Sequence, residues 1–428
     1  MPKLGDIGKA VHVQRRVSVR DDIRSKKNTV GEVMSNVLQE AEEFIAKNWD
    51  PNGDPDAWRE LVIDSGWAAL RWPTQWFGRG LSDDDAAEVE ALFLERGVPG
   101  PGQDKTNLWA GTMLSYGSDE LKGQFMRKLL LDEIAMCLLY SEPGAGSDLA
   151  GIRTSAVRDG NEWVVNGQKV WTSGAAAADY GMLIARTDWD QPKHRGISFF
   201  WLPMKQAGVE VRPLRQATGD ARFNEVFITD ARVADSHRLG DLNSGWMVLQ
   251  TALMYERVAM GGGRRGPAMR STKGATAAAH GSIPMPDTSL VALAKKVGKT
   301  NDPHFRQELM KLYCRRMTNE WNAERARAAA EAGGASPLAS LGKLNMAEIL
   351  HYAARIQGHL LGMNATLLGA EDSVEYAHNY SQLNAYFFSI GGGTDQIQRN
   401  IIGERVLGLP KEPETDRNVA FREVPARG

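Results

Sequence analysis

The chain has 428 residues, with 51 basic and 53 acidic side chains, a net charge of −2 and two cysteines, Cys137 and Cys314. Its length allows a large core divided into two or three domains. The balanced charge argues against nucleic acid or an anionic membrane as a partner, and two cysteines exclude a disulfide scaffold and a four-cysteine zinc site. No apolar run approaches the roughly 18 residues of a membrane span or resembles a secretory signal, so we expect a soluble, cytoplasmic protein.

The first third of the chain has helical periodicity after a polar start. Residues 1–28 have little apolar content and are predicted to form a disordered arm, with a subunit-contact arm as the second interpretation. Apolar residues then recur at helical spacing. Helices are predicted from residue 31 onward, at 56–65 and 83–96, and as a pair across 108–130. Together they predict an N-terminal helical domain over residues 29–133.

At Ile134 the pattern changes to short apolar runs separated by turns rich in Gly, Asp, Asn and Pro. The strand candidates are Met136–Tyr140, Trp163–Val165, Gln168–Trp171, Met182–Arg186, Ile197–Leu202, Val209–Pro213 and Glu225–Ile228. This alternation of short strands and turns predicts an antiparallel β domain over residues 134–243.

Two features mark the start of this β domain. The first is a Gly-rich loop, Ser141–Asp148, whose glycines let the backbone approach a ligand closely. The second is Asn166-Gly167, which lies between two strand candidates and predicts a two-residue hairpin turn of type I′. A loop rich in N–H groups and hydroxyls, beside a strand that ends in Trp171, suits a planar aromatic cofactor with a polar edge. The alternative is a surface turn beside a structural tryptophan.

Helical periodicity returns at Gly245 and continues to Leu407. It predicts a C-terminal helical bundle over residues 244–410, followed by a tail at 411–428. One apolar stripe in this bundle offers more surface than a single neighbouring helix usually covers, which predicts self-association at least as a dimer. The stripe consists of Leu341, Leu344, Ile349, Ala353, Ile356 and Leu360. Blocks of helix, strand and helix predict an α+β fold.

The stretch Leu138–Ser173 reads LLYSEPGAGSDLAGIRTSAVRDGNEWVVNGQKVWTS. In order and spacing it closely resembles the flavin-binding segment of the acyl-CoA dehydrogenase family, and the domain order resembles that family's helical domain, β domain and four-helix bundle. The resemblance covers residues 30–411. It implies an FAD-dependent oxidoreductase that converts an acyl-CoA thioester to the trans-2-enoyl-CoA and passes electrons to an electron-transfer flavoprotein.

The resemblance also implies which residues hold the FAD. Contacts to the flavin are implied for Leu139, Tyr140, Ser141, Gly146, Ser147, Trp171, Thr172 and Ser173, and contacts to the adenosine side for Thr394 and Gln396. Hydroxyl and N–H donors near the ring would stabilise negative charge as it is reduced. The Trp171 indole would shield the ring from water and oxygen. Alternatively, Trp171 is a core residue at a strand end and Thr394 caps a helix.

The family places its catalytic glutamate, which removes the α-proton of the thioester, at one of two positions. The later one is Gly392 here, which has no side chain but whose backbone N–H is expected to bind the thioester oxygen. The earlier position is Glu256 here, so Glu256 is the predicted base. In this respect the chain resembles bacterial members that have the base on the early bundle helix. Alternatively, Glu256 is a solvated residue or pairs with Arg257. Substrate contacts are implied for Ser147, Tyr255 and Arg257.

One segment departs from the family pattern. Members usually follow the early bundle helix with Arg-x-x-Phe-Gly, whose arginine reaches the FAD of a neighbouring subunit, whereas this chain has the Gly- and Ala-rich segment Gly261–Pro286. We predict that this segment is a mobile loop or a replacement contact for CoA phosphates. The departure leaves open a non-catalytic or half-site partner chain of a heteromeric dehydrogenase, and a flavin oxidase or monooxygenase is a third possibility. The expected assembly is a homodimer, a homotetramer or a heterotetramer with a related chain.

Overall fold

The computed structural model describes residues 36–260, 287–331, 338–370, 373–414 and 416–425. The predicted arm at residues 1–28 and the predicted loop Gly261–Pro286 lie outside these residues. Within them, helices come first, strands follow and helices return, so the chain has the predicted α+β class.

The N-terminal part consists of short helices packed around tryptophans. They are α1 (Asn36–Asn48), α2 (Pro55–Asp64), α3 (Asp83–Arg96), α4 (Gln103–Thr106), α5 (Leu108–Tyr116) and α6 (Asp119–Leu130). Helices α3 and α6 begin where the Ser82 and Ser118 hydroxyls accept hydrogen bonds from backbone N–H groups of the first turn. Trp58, Trp67 and Trp72 are buried among the helices and fill much of the core of this part.

The middle part is one eight-stranded sheet. Its strands are β1 (Met136–Leu139), β2 (Ser155–Asp159), β3 (Glu162–Ser173), β4 (Tyr180–Arg186), β5 (Ile197–Pro203), β6 (Val209–Leu214), β7 (Phe223–Ala234) and β8 (Arg238–Leu239). The strand order is β6-β7-β3-β2-β4-β5-β8, and β1 pairs with β4 in parallel. Because most other pairs are antiparallel, the sheet is mixed. One face packs against the N-terminal helices, and the apolar side chains of the other face form a second cluster largely among themselves.

The predicted hairpin turn at Asn166-Gly167 is wrong. Strand β3 runs straight through both residues, and its register against β7 shifts between Val165 and Gly167. The two-residue turn is instead Gly160-Asn161, which joins β2 to β3. Strand β3 pairs with β2 on one edge and with β7 on the other. Because both neighbours hold it extended, the Asn-Gly pair causes only a register shift against β7 and does not end the strand.

The C-terminal part is helical. Its helices are α7 (Gly245–Met260), α8 (Asp287–Lys296), α9 (Pro303–Glu331), α10 (Ala339–Leu361), α11 (Val374–Ile390) and α12 (Asp395–Ile401). The apolar stripe predicted to drive self-association lies on α10. Ile349, Ala353, Ile356 and Leu360 are buried in this stripe against residues of α8 and α9. That reason for self-association is therefore wrong, because the chain covers most of the stripe itself.

Over the ranges given above, no helix has both the length and the apolar character needed to cross a bilayer. In the same ranges, His, Cys, Asp and Glu side chains form no group of three or more that could hold a metal ion.

Candidate functional site

The Gly-rich loop is a tight turn fastened to β3. Glu142 and Ala145 exchange two backbone hydrogen bonds of 3.0 Å, and the Val170 N–H donates to the Ser141 carbonyl at 2.9 Å. Gly146 and Ser147 are exposed, and a Cβ placed on Gly146 would meet no atom within 4 Å. The loop thus presents its glycine, its hydroxyl and its backbone donors to open space.

A buried ion pair holds this loop from behind. The Lys169 side chain is fully buried, and its ammonium donates to the Glu142 carboxylate at 2.8 Å and to the Tyr140 carbonyl at 3.0 Å. The same carboxylate accepts from the backbone N–H groups of Arg153 and Thr154, at 2.6 and 2.9 Å. Burial alone would raise the pKa of the Glu142 carboxyl, but Lys169 and these hydrogen bonds hold that pKa below its ordinary value. The loop is therefore tied to β3 and to the segment before β2 through one carboxylate.

Strand β3 ends in an exposed tryptophan beside a buried hydroxyl. The Trp171 side chain is 57% exposed, and its backbone is left-handed with a φ of 61°. Its ring stands nearly perpendicular to that of Phe223, with 6.0 Å between the ring centroids. The Thr172 hydroxyl is buried and has no hydrogen-bond partner. A flat ligand with a polar edge, bound next to the exposed loop, would cover the Trp171 indole and give the buried Thr172 hydroxyl a hydrogen-bond partner. This donor set fits a flavin.

Two aromatic contacts bring the late segment of the chain to this place. Phe223 packs on Phe387 of α11 at 5.7 Å, and the Phe387 carbonyl accepts from the Gly391 N–H at 2.7 Å. Gly392 follows with a left-handed φ of 65°, and its carbonyl accepts from the Gln398 amide at 3.0 Å. Trp171 and Gly392, predicted from distant parts of the sequence, are therefore connected through two phenylalanines.

Thr394 caps helix α12, because its hydroxyl accepts from the Ile397 N–H at 3.2 Å. This confirms the capping role, and the predicted contact of Thr394 with FAD stays a prediction. Gln396 is exposed on the same helix, as a side chain that contacts a ligand would be. Ser173 is half-buried at the end of β3.

Leu139 and Tyr140 point into the core. Leu139 is fully buried, and Tyr140 is 6% exposed, with its ring in a T-shaped contact with Phe199 and its hydroxyl 3.8 Å from the Met182 sulfur. Burial raises the pKa of the Tyr140 phenol well above its ordinary value, and the nearby Glu256 carboxylate raises it further. Tyr140 thus remains a neutral phenol, and the half-buried Glu256 is close enough to act on it through its charge.

Tyr255 lies against the N-terminal helices. A Cβ added to Gly111 of α5 would come within 2.5 Å of the Tyr255 ring, so glycine is what lets α5 and α7 approach here. The ring is half-buried, and burial raises the pKa of its phenol, whereas a hydrogen bond with Ser115 opposes that rise. The side chain of Arg257, the third predicted substrate contact, lies outside the described residues.

Sequence reasoning did not identify the groups that hold the site together. Lys169 and Glu142 lie inside the motif, but nothing in the spacing indicated that they pair. A lysine among the apolar residues of a strand was the available signal, since a buried cation needs a buried partner. Arg186, at the end of β4, is fully buried in the same way.

Two sequence models match the chain: the acyl-CoA dehydrogenase middle domain over residues 137–231 and the acyl-CoA dehydrogenase C-terminal domain over residues 243–407. Acyl-CoA dehydrogenase IpdE1 of Mycolicibacterium smegmatis is 34% identical over 374 residues, which cover 83% of this chain and 88% of that protein. Acyl-CoA dehydrogenase FadE34 of Mycobacterium tuberculosis is 34% identical over 363 residues, covering 83% of this chain but only 47% of that longer protein.

Among solved structures, a variant of the Tcur3481-Tcur3483 steroid ACAD is 25% identical, with a TM-score of 0.64 over 88% of this chain and 99% of that one. The matched residues include the Gly-rich loop, Trp171, Glu256 and Gly392. The chain belongs to the acyl-CoA dehydrogenase family of flavoprotein oxidoreductases.

Proposed function

We propose that this chain uses FAD to dehydrogenate an acyl-CoA thioester to the trans-2-enoyl-CoA, and that an electron-transfer flavoprotein takes up the electrons. The observation that carries the proposal is that the half-buried Glu256 lies near enough to Tyr140, the residue that precedes the Gly-rich loop, for its charge to raise the pKa of that phenol. A base near this loop would be placed to take a proton from a substrate bound beside the loop.

The residues that would hold FAD are those left exposed or unsatisfied around the loop. Trp171 would cover one edge of the ring, the Thr172 hydroxyl would gain a partner, and Ser141, Gly146 and Ser147 would supply donors. When bound, FAD supplies the acceptor for the β-hydride. Donors fixed in advance by the Lys169–Glu142 pair need no reorganisation when charge develops, and this is how preorganised donors stabilise charge.

The part of Glu256 is to take the α-proton. The backbone N–H of Gly392 would bind the thioester oxygen and make the α-carbon more acidic, so a carboxylate becomes a competent base. Ser147, Tyr255 and Arg257 are the proposed further contacts to the thioester. Because the related structure is a steroid ACAD, we extend the proposal to a bulky, steroid-derived acyl group.

The test is anaerobic bleaching of the bound flavin by a panel of acyl-CoA thioesters, which includes a steroid-derived one and linear ones. In Glu256→Gln the size of the side chain is kept and its basicity is lost, so flavin reduction should slow by about 10²- to 10⁴-fold while acyl-CoA still binds. Glu320→Gln changes an exposed carboxylate on α9 and should leave the rate unchanged. Reduction that slows only a few-fold in Glu256→Gln would show that another group is the base.

A partner chain in a heteromeric enzyme is the second candidate. It is favoured by the missing Arg-x-x-Phe-Gly segment and by the related structure, whose name joins two proteins. A colourless protein that gains flavin and activity only when mixed with a second chain would support it over the self-sufficient enzyme. Light scattering of the purified chain, with and without FAD, distinguishes a homo-oligomer from a monomer that requires a second chain to assemble.

A further inference from the structure

The last described residues of the chain, 416–425, pack against the β domain. The Phe421 side chain is 1% exposed. The Phe421 N–H donates to the Gln191 carbonyl and the Arg422 N–H to the Trp189 carbonyl, both at 3.0 Å. These backbone hydrogen bonds attach the C-terminal segment to the loop that joins β4 to β5.

Phe421 forms a cover over Arg186. The Arg186 guanidinium carbon lies 3.7 Å from the centroid of the phenylalanine ring, and Trp189 packs on the ring at 5.6 Å. Arg153 approaches the same ring, at 5.1 Å. A cation over an aromatic face, shielded from water, is attracted to the ring more strongly than at an exposed site. The ring therefore keeps water from a face of the buried guanidinium.

Arg186 in turn holds the exit of the Gly-rich loop. Its guanidinium donates to the carbonyls of Ala150 and Ile152, at 2.6 and 3.2 Å, and to the carbonyl of Lys193 at 2.8 Å. Ala150 and Ile152 come just after Asp148, the last residue of the loop. The donors of the guanidinium thus fix where the loop leaves the site.

An ionic contact also joins the end of the Gly-rich loop to the C-terminal segment. The Lys193 ammonium lies 3.2 Å from the Asp148 carboxylate and 3.4 Å from that of Asp416. In addition, Arg153 donates to the Val424 carbonyl at 2.9 Å. Residues 148–153 are therefore joined to the C-terminal segment through an aromatic contact, an ionic contact and a backbone carbonyl.

We propose that the C-terminal segment, residues 416–425, positions the Gly-rich loop for FAD: Phe421 holds Arg186 against Ala150 and Ile152, while Asp416 shares Lys193 with Asp148. The proposal rests on the proposed function, because it takes FAD as the ligand of this loop. Without the ring, water reaches the guanidinium, the two carbonyls lose a fixed donor, and the loop must be ordered when the cofactor binds. Ordering of that kind weakens affinity.

The test uses full-length Phe421→Ala, studied well below its unfolding temperature. We expect the dissociation constant for FAD to rise about three- to tenfold, equivalent to roughly 0.7–1.4 kcal/mol. In the FAD-free protein, hydrogen exchange of the amides of residues 147–153 should accelerate while the amides of α9 are unchanged. The control is Arg422→Ala, which removes an exposed ion pair with Asp190 from the same segment and should change neither measurement by more than about twofold.

Asp416→Asn is the second variant, needed if Phe421→Ala does not fold. It leaves the ring in place and removes one of the two carboxylates around Lys193, so a smaller rise in the dissociation constant is expected. A lower unfolding temperature with unchanged FAD affinity and unchanged exchange at residues 147–153 would overturn the proposal, since the segment would then only stabilise the fold. Wild-type protein that binds no FAD would instead overturn the proposed function, and the exchange measurement would still decide whether the segment orders the loop.

Discussion

The two sides of the candidate site are held in different ways. On the β-domain side, the buried cations Lys169 and Arg186 fasten the Gly-rich loop through a carboxylate and several backbone carbonyls. On the helical side, the segment around Gly392 is exposed and is held by left-handed glycines, the Thr394 cap and one amide hydrogen bond. The first side depends on ionic contacts between distant residues, the second on local backbone conformation.

This difference has an energetic consequence. A fully buried charge that loses its partner destabilises a protein by several kcal/mol, whereas a cap or an unusual backbone angle is worth about 1 kcal/mol. A single substitution of a buried charge on the β-domain side should therefore cause a large loss of stability. A single substitution on the helical side should cause only a small one. Under the proposed function, this division would give FAD a rigid platform and leave the segment around Gly392 able to adjust to the substrate.

The largest expected effect is that of Lys169→Met, which leaves the buried Glu142 carboxylate without its cationic partner. We expect a loss of about 3–5 kcal/mol in the free energy of unfolding, measured by urea denaturation. The control is Lys205→Met in the same domain, where the lysine is 72% exposed and pairs with Asp179 at 2.5 Å. A surface pair is worth at most about 1 kcal/mol. Equal losses in the two variants would show that the buried pair stabilises the fold no more than a surface pair does.

A pH titration sharpens the same contrast. Because the pKa of Glu142 is lower in the folded chain than its ordinary 4.5, its ionised form stabilises the fold above pH 4.5, and this stabilisation is lost as the pH falls through the folded-state pKa. Glu142→Gln should be less stable than the wild type at neutral pH, and the two stability curves should converge in acid. Urea denaturation across pH 3–7 measures this. Stability curves that stay equally far apart at every pH would mean that the ionised Glu142 carboxylate does not stabilise the fold.

On the helical side the expected effect is smaller. Gly392→Ala places a Cβ on a residue with a φ of 65°, which should cost roughly 1–2 kcal/mol of stability by thermal unfolding. Gly123→Ala is the matched control, since Gly123 lies inside α6 with open space around it and alanine there should stabilise by about 0.5–1 kcal/mol. If Gly392→Ala were as harmless as the control, the left-handed turn would not constrain this segment.

Much of the fold followed from patterns a few residues long. The change from helical spacing to strand spacing at Ile134, and back at Gly245, located the sheet between two helical parts. The Gly-rich loop and the run to Ser173 carried the resemblance to the acyl-CoA dehydrogenase family, and the flavin site remains a prediction that follows from it. Two signals misled: neighbouring strands on both edges of β3 kept the chain extended at Asn166-Gly167, and α8 and α9 cover most of the apolar stripe on α10.

By itself, then, the sequence determined the class of fold, the family resemblance and the candidate residues of the site. Only the tertiary structure decided that Lys169 meets Glu142, that Trp171 connects to Gly392 through Phe223 and Phe387, and that Phe421 of the predicted tail is buried on Arg186. The physical reason is range. Turns, caps and periodicity act within a few residues, whereas burying a cation requires a partner that the folded chain brings from far along the sequence.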